Sequence, residues 1–414
     1  MDRILHRARL IDGRLVDVHI AGGLIAAVLP VGAAVPDGVA FNGGIVVDDL
    51  AGRLLLPALA EPHAHLDKAL TAETVPNPSG DLLGAIEAHS AAGRSGRYTH
   101  EDIVARATAA LELLLIHGVT AVRSHVDVGV DSAPGAIAAV DEARRSFAGL
   151  IDLQIVALMG GPMSGPEGAG NRAALAAALA AGADLVGGCP ALDADGRGLI
   201  SVILAAATEA GVGIDLHVDE TLDASMLTLS ELARQVRDTG FAHAVAASHC
   251  VSLAMQTKDV QASVAAEAAD AGIAVIVLPQ TNLFLQGRGH RAPMPRAIAP
   301  IDVLRQAGVH VAAGGDNVQD PFNPVGRSDP LETAALLVMA AHQVPALAYT
   351  MVSNDARQLM GLPRVALEPG DPADFLAIDA PSPRGAIADA SPDRRVYRRG
   401  RLVASSTWSA QVHR

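Results

Sequence analysis

The chain has 414 residues, half of them hydrophobic but only 2% aromatic, and a formal charge of −14. That length accommodates one large domain plus a smaller one, and a core so poor in aromatics must be packed with small and branched side chains, as in α/β proteins with buried parallel strands. The acidity argues against nucleic acid or an anionic membrane surface as a partner, since both need clustered Lys and Arg.

The short basic run Arg394-Arg395-Val396-Tyr397-Arg398-Arg399 reads as a solvated strand edge. Cys189 and Cys250 lie far apart and make no disulfide framework, so a cytoplasmic, reducing environment is expected. Residues 1–13 lack the apolar core of a signal peptide, and no apolar run approaches the roughly 20 residues that span a bilayer.

In chain order, residues 1–53 alternate short apolar runs with turns such as Asp12-Gly13 and Gly22-Gly23, which is hairpin patterning. The last fifty residues repeat it around Phe375, Val396 and Leu402. Neither end has enough strands to close a core alone, so both ends are expected to join in one small β-sandwich over 1–56 and 364–414. Between them, over 57–363, short apolar strands alternate with Ala-rich helical stretches. The predicted strands are 54–60, 119–126, 153–158, 185–189, 213–218, 244–248, 273–278 and 309–313. The predicted helices include 101–117, 134–147, 171–181, 198–210, 223–239, 260–271 and 300–307. Eight such strands predict an α/β fold, a (β/α)₈ TIM barrel. An open doubly wound sheet is the alternative, but no G-x-G-x-x-G or G-x-x-x-x-G-K-[ST] supports a nucleotide-binding version.

In such a barrel the reactive residues sit at the C-terminal ends of strands. The first strand end carries His63 and His65, whose spacing puts both imidazoles on one face. The fifth carries His217, the sixth His249 and the eighth Asp316. A single strand-end His is usually structural, yet four imidazoles and a carboxylate in one positional class suit a borderline divalent ion such as Zn²⁺ or Fe²⁺.

The stretches Glu61-Pro62-His63-Ala64-His65-Leu66-Asp67, Arg123-Ser124-His125-Val126-Asp127, His217-Val218-Asp219-Glu220, Ser248-His249, Leu285-Gln286-Gly287-Arg288 and Asp316-Asn317-Val318-Gln319-Asp320-Pro321 resemble, in order, those of the amidohydrolase superfamily, and within it the cytosine deaminase-like branch. The resemblance implies that His63, His65, His217 and Asp316 hold one metal ion. It places His249 beside the attacking water and makes Glu220 the proton shuttle, with Asp316 and His249 able to take the water's proton. Glu220, three residues past His217, can reach the cavity without being a ligand. The fourth strand ends in Gly187-Gly188-Cys189-Pro190 with no lysine to bridge two metals, which favours a mononuclear site.

The resemblance thins at the substrate. Cytosine deaminases place a pyrimidine-reading glutamine where Gly160 stands here, a second aspartate at the position of Asn317, and tryptophan at that of Phe322. Lys68 completes a His-x-His-x-Asp-Lys string shared with N-isopropylammelide amidohydrolases, and is expected to offer a cation to a ring carbonyl or anionic group. Gln286 is expected near the entrance with Asn282, and Gly287-Arg288-Gly289-His290 is expected to form part of a lid. His125 is expected to support the ligands or the fold, Asp67 to orient the loop after the first strand, and Cys250 to be a buried thiol turned away from the site. The expected activity is release of ammonia or a small amine from an exocyclic C–N bond of a cytosine-like pyrimidine, oxopurine or aminotriazine. The alternatives are ring opening of a cyclic amide, or a catalytically inactive binding protein on the same scaffold. The expected partners are the heterocyclic substrate and further copies of the chain.

Overall fold

The computed structural model describes residues 2–34, 44–133 and 135–413. Positions 35–43 of the expected N-terminal segment, and Pro134 at the start of the helix expected over 134–147, lie outside the described residues, as do positions 1 and 414. The N-terminal strands are β1 (Asp2–Arg9), β2 (Leu15–Ala21), β3 (Leu24–Pro30), β4 (Ile45–Asp49) and β5 (Leu54–Pro57). Eight parallel strands follow: β6 (Leu59–Ala64), β7 (Val119–Val128), β8 (Asp152–Met159), β9 (Leu185–Gly188), β10 (Gly213–Val218), β11 (Val245–His249), β12 (Ile273–Val277) and β13 (Val311–Ala313). The chain ends with β14 (Phe375–Ile378), β15 (Arg394–Arg398) and β16 (Arg401–Ser406).

β6 to β13 pair in sequence order. A parallel bridge between Ala64 and Asp316, with the Asp316 N–H donating to His63 O at 3.0 Å, brings the last strand end back to the first. The barrel strands are buried on both faces, which is why they read as near-continuous apolar runs. The helices between them follow local rules. In His100–Ile116 the Thr99 hydroxyl caps the Asp102 N–H, Glu101 and Asp102 occupy the positive first turn, and Ile103, Ala107, Ala110, Leu111 and Leu114 form the buried stripe, at helical spacing. None of the described helices is long and apolar enough to cross a membrane.

Both chain ends join in one mixed sheet in the order β16-β15-β14-β5-β1-β2-β3, with β4 parallel to β1. Strand alternation gives it two apolar faces. Leu55, Phe375, Ala377 and Tyr397 belong to a core of its own with Leu5, Val18 and Ile20. Leu54, Leu56, Leu376, Ile378 and Val396 point the other way, into the barrel's core.

Two expectations change. The apolar run 54–60 is two strands in two different sheets, not one barrel strand. Ala58 N–H bonds to Asp374 O in the terminal sheet, and the next amide, Leu59 N–H, to Gly118 O beside the barrel. The break comes just after Pro57, which has no N–H to carry a ladder on; the barrel's first strand starts at Leu59, runs to Ala64 and contains His63. The basic run near the C-terminus is not a solvated edge either. Arg394 and Arg398 are buried and paired, Arg394 with Asp329 and Arg398 with Asp374 and Asp152. Asp374 also takes Arg357 Nη2 at 3.0 Å and the Arg399 N–H at 2.7 Å.

Removing one member of such a buried cluster strands the others. Asp374→Ala leaves Arg357 and Arg398 without their shared carboxylate and is expected to lower the unfolding free energy by about 3–5 kcal/mol. A denaturant titration checks this; an unchanged midpoint would show that solvent reaches the two guanidinium groups.

Candidate active site

The strand ends of β6, β10, β11 and β13 bring His63, His65, His217, His249 and Asp316 together, all of them buried, with all but His63 lining one cavity. His217 Nε2 lies 3.2 Å from His63 Nε2 and 3.3 Å from His65 Nε2. Asp316 Oδ1 lies 3.2 Å from His65 Nε2 and 3.6 Å from His63 Nε2. Two members hold left-handed backbone, His249 at φ 73° and Asp316 at φ 66°. For non-glycine residues this costs on the order of 1–3 kcal/mol each and concentrates at functional sites.

The groups behind the imidazoles set which nitrogen is bare. Ser248 Oγ donates its single proton to Asp215 Oδ1 at 2.9 Å, so it must accept from His63 Nδ1–H, also at 2.9 Å. His63 Nε2 is then an unprotonated lone pair aimed at the cluster. Arg123 fixes Asp215 in turn with a 2.7 Å bond to Oδ2. His249 Nδ1 bonds Asn282 Oδ1 at 3.2 Å; an amide oxygen only accepts, so His249 Nε2 is bare as well, and it has no partner in its buried setting. Burial, and then the neighbouring imidazoles, hold His63 and His217 well below the usual histidine range; burial and then Lys68 do the same for His65. All three are therefore neutral, as ligands must be.

This donor set fits a divalent ion. Both carboxylate oxygens of Asp316 are buried without a hydrogen-bond partner, and burial pushes its carboxyl upward. An unpaired buried carboxylate is costly unless a cation answers it. Tetrahedral Zn–N bonds of 2.0–2.1 Å put ligand nitrogens about 3.3 Å apart, which matches the two contacts of His217 Nε2, with His63 and with His65. Glu61 supports the arrangement from behind. Its carboxylate takes the Gly315 N–H on both oxygens, at 3.0 and 2.9 Å, and the His63 N–H at 3.1 Å, tying β6 to the segment that carries Asp316. A side chain on Gly314 would run into Glu61 Oε1 at 2.4 Å, so that position needs glycine.

The cavity above encloses about 310 Å³. His65, His217, Glu220, His249 and Asp316 line its floor, and Leu82, Ile86, Val130, Leu158, Met159 and Leu192 much of its upper wall. Glu220 follows β10, with Oε1 3.7 Å from His249 Nδ1. Burial, and then the Asp316 charge, push its carboxyl well above the usual range, opposed by the Lys68 ammonium.

The expected substrate contacts divide. Lys68, Gly160, Asn317 and Phe322 line the cavity. A Cβ built on Gly160 meets nothing within 4 Å, so the space that a reading side chain would fill there belongs to the cavity. Asn317 spends its amide on Asp320 Oδ2 at 2.8 Å and on the Thr281 hydroxyl at 3.3 Å. Gln286 is not among the lining residues; its Nε2 donates to Glu220 O at 2.9 Å and so braces the loop that carries Glu220. Asn282 sits behind His249 instead of at the entrance. His125 stacks on His63 with ring centroids 3.9 Å apart, and its Nε2 is 3.7 Å from Asp215 Oδ2. Asp67 Oδ2 accepts the Asp127 N–H at 3.0 Å. Cys250 is buried off the cavity while Cys189 lines it, and both are free thiols.

Sequence reasoning gave no role to Asp215, Ser248, Glu61, Asp127 or His89. Two were within reach of pattern reading: Asp215 is two residues before His217 on the same strand face, and Ser248 pairs in register with His217. His89 was not, because it rides on the unexpected helix Leu82–Arg94.

Residues 92–410 match the model of the amidohydrolase family. Over 394 residues the chain is 31% identical to a pterin deaminase of Rhizobium rhizogenes, covering 94% of this chain and 88% of that relative. It superposes on 5-methylcytosine deaminase from Klebsiella pneumoniae, liganded with 5-fluorocytosine, with a TM-score of 0.85 at 27% identity, over 100% of this chain and 99% of that one. On N-isopropylammelide isopropylaminohydrolase from Burkholderia multivorans the TM-score is 0.81 at 29% identity, over 98% of each. With a family model spanning most of its length, and a pterin deaminase relative matched nearly end to end, this chain belongs to the amidohydrolase family.

Proposed function

We propose that the protein is a metal-dependent aminohydrolase that cleaves an exocyclic C–N bond of a small nitrogen heterocycle and releases ammonia or a small amine. The observation that carries this reading is the convergence of His63, His65 and His217 Nε2 on the unpartnered Asp316 carboxylate, with His249 and Glu220 alongside at the floor of one cavity. The relatives support it: a pterin deaminase, a 5-methylcytosine deaminase and an N-isopropylammelide hydrolase.

In this reading His63, His65, His217 and Asp316 hold a single divalent ion, Zn²⁺ or Fe²⁺. When bound, that ion supplies Lewis-acid activation of water, whose pKa falls from 15.7 to about 7. His249 offers its bare Nε2 to the proton that the attacking water sheds. Glu220 gives its proton to the ring nitrogen beside the amine-bearing carbon, which makes that carbon electrophilic; its carboxylate then takes up the proton left on the added oxygen and hands it to the departing amine, and the proton held by His249 returns to Glu220. Burial and Asp316 raise the Glu220 carboxyl while Lys68 draws it down, as a dication on the ligand set would too, which poises it to act in both directions. Lys68, Gly160, Asn317 and Phe322 contact the substrate, and Gln286 acts on it through the Glu220 loop. The chain segments 1–56 and 364–414 form the accessory domain and 57–363 the catalytic one.

The test is amine release by purified, metal-analysed protein from cytosine, 5-methylcytosine, isocytosine, isoguanine, pterin, creatinine and aminotriazines. Ammonia or amine is expected from at least one of them with the ring intact, and chelation is expected to abolish it. Ring-opened products would replace the reading with cyclic-amide hydrolysis. Stoichiometric metal without any product across the panel would point to a binding protein.

A further inference from the structure

One wall of the cavity carries a charged group of which the reaction above uses only Lys68. Lys68 Nζ donates to Asp127 Oδ2 at 2.7 Å, and His89 Nε2 reaches the same oxygen at 2.7 Å. All three line the cavity, and Lys68 is 3% exposed. Asp67, His89 and Asp127 are close enough to hold a second metal ion. Lys68 speaks against that use, because a dication on Asp127 would stand next to an ammonium already in hydrogen-bond contact with it. The group is a hydrogen-bonding surface.

Its polarity can be read from its neighbours. The Tyr98 hydroxyl lies 3.1 Å from His89 Nδ1. An ionised carboxylate only accepts, so His89 Nε2 carries the proton toward Asp127 and Nδ1 accepts from Tyr98. Asp67 clamps the Asp127 N–H, and Phe322 covers Lys68 Nζ, 5.0 Å from its ring centre. Both side-chain donors sit on Asp127 Oδ2. Oδ1 lies one carboxylate width away, next to an ammonium that keeps two protons to give after its bond to Oδ2. A fixed acceptor and a fixed donor therefore stand side by side on the wall adjoining His65.

We propose that Asp127 and Lys68 read a lactam edge of the substrate, with a ring N–H donating to Asp127 Oδ1 and the adjacent ring carbonyl accepting from Lys68 Nζ. His89 and Tyr98 position Asp127 for this. The inference rests on the aminohydrolase reading and deepens it. It narrows the substrate to heterocycles with neighbouring N–H and C=O groups on the edge away from the reacting C–N bond, and makes Asp127 and His89 determinants of specificity.

The experiment measures calorimetric dissociation constants of metal-loaded protein for pyrimidin-2(1H)-one and its 1-methyl derivative, which keeps the carbonyl and loses the N–H. Wild type is expected to bind the parent about 10–100-fold more tightly, as suits a hydrogen bond to a charged group. In Asp127→Asn the amide oxygen stays with the two donors on the Oδ2 side and turns NH₂ toward the ligand, so the preference for the N–H compound is expected to vanish at unchanged metal content, in protein whose melting transition is lowered by the lost charge beside Lys68 but stays above the assay temperature. Equal binding of the two compounds by wild type, or binding of neither, overturns the proposal without recourse to any variant. So does a gap that persists in Asp127→Asn, which would mark it as steric. If the gap is absent while amine release is present, the lactam reader falls and the aminohydrolase stands. If the gap is present while no compound in the panel releases amine, the reverse holds.

Discussion

Glu220→Gln is expected to keep the metal ion and to lose turnover by about 10²–10⁴-fold, the usual worth of a positioned general acid and base. The substitution preserves shape and hydrogen-bonding length but can neither give nor take a proton. Glu220 is not one of the four residues assigned to the metal, and its loop is held from outside by the Gln286 amide on its own carbonyl, so neither metal content nor the local backbone should change. The loss should fall equally on kcat and kcat/KM, because proton transfer is felt in the transition state and not in substrate binding. Elemental analysis beside steady-state kinetics checks both parts. Near-normal turnover would leave His249, with its bare Nε2, as the proton carrier. Loss of the metal would make Glu220 a ligand.

The parts of the site that were legible in the sequence are those whose position follows from the barrel itself. A barrel strand delivers its last inward residue to one rim, so His63, His217, His249 and Asp316 could be placed together without knowing a single contact. The strand run 54–60 misled because apolarity alone does not say which sheet a strand joins; only the proline at 57 hints that the ladder breaks. Arg394 and Arg398 misled in the opposite sense. Basic residues on a strand that reads as an edge usually face water, and nothing local reveals that Asp329 and Asp152 wait on the barrel side and Asp374 beside the neighbouring strand β14.

The cavity wall was less legible still. The helix Leu82–Arg94 buries only Ala85 and Ala92, because its other face looks into the cavity and not into a core. It therefore lacks the apolar stripe by which a helix announces itself, and His89 on it could not be placed beside Asp127. The tautomers of His63 and His249 were equally out of reach. They depend on Ser248, Asp215 and Asn282, whose roles exist only once three separate strand ends meet.

Asp316→Asn is expected to separate stability from function, with opposite signs in the two states of the protein. Asp316 is the one anionic member of the proposed ligand set, and both its oxygens are buried without a hydrogen-bond partner. Without a cation, that carboxylate is an uncompensated buried charge, which burial already pushes toward its neutral form. Asparagine removes the charge, keeps the shape, and tolerates the left-handed backbone at φ 66°, so the metal-free variant should melt higher than metal-free wild type. Added Zn²⁺ should reverse the order. A ligand held at a hundred times its Kd stabilises the native state by about 2.7 kcal/mol, a gain open to wild type and largely closed to the neutral amide. Turnover should fall by at least about 10²–10³-fold, the scale on which removal of one transition-state electrostatic partner is felt. Thermal melts with and without metal, run beside the amine-release assay, read all three effects. If the variant melts lower than wild type in the metal-free state, Asp316 has a structural partner and its carboxylate is not waiting for a cation. If the variant gains as much stability from Zn²⁺ as wild type does, the three imidazoles hold the ion without it.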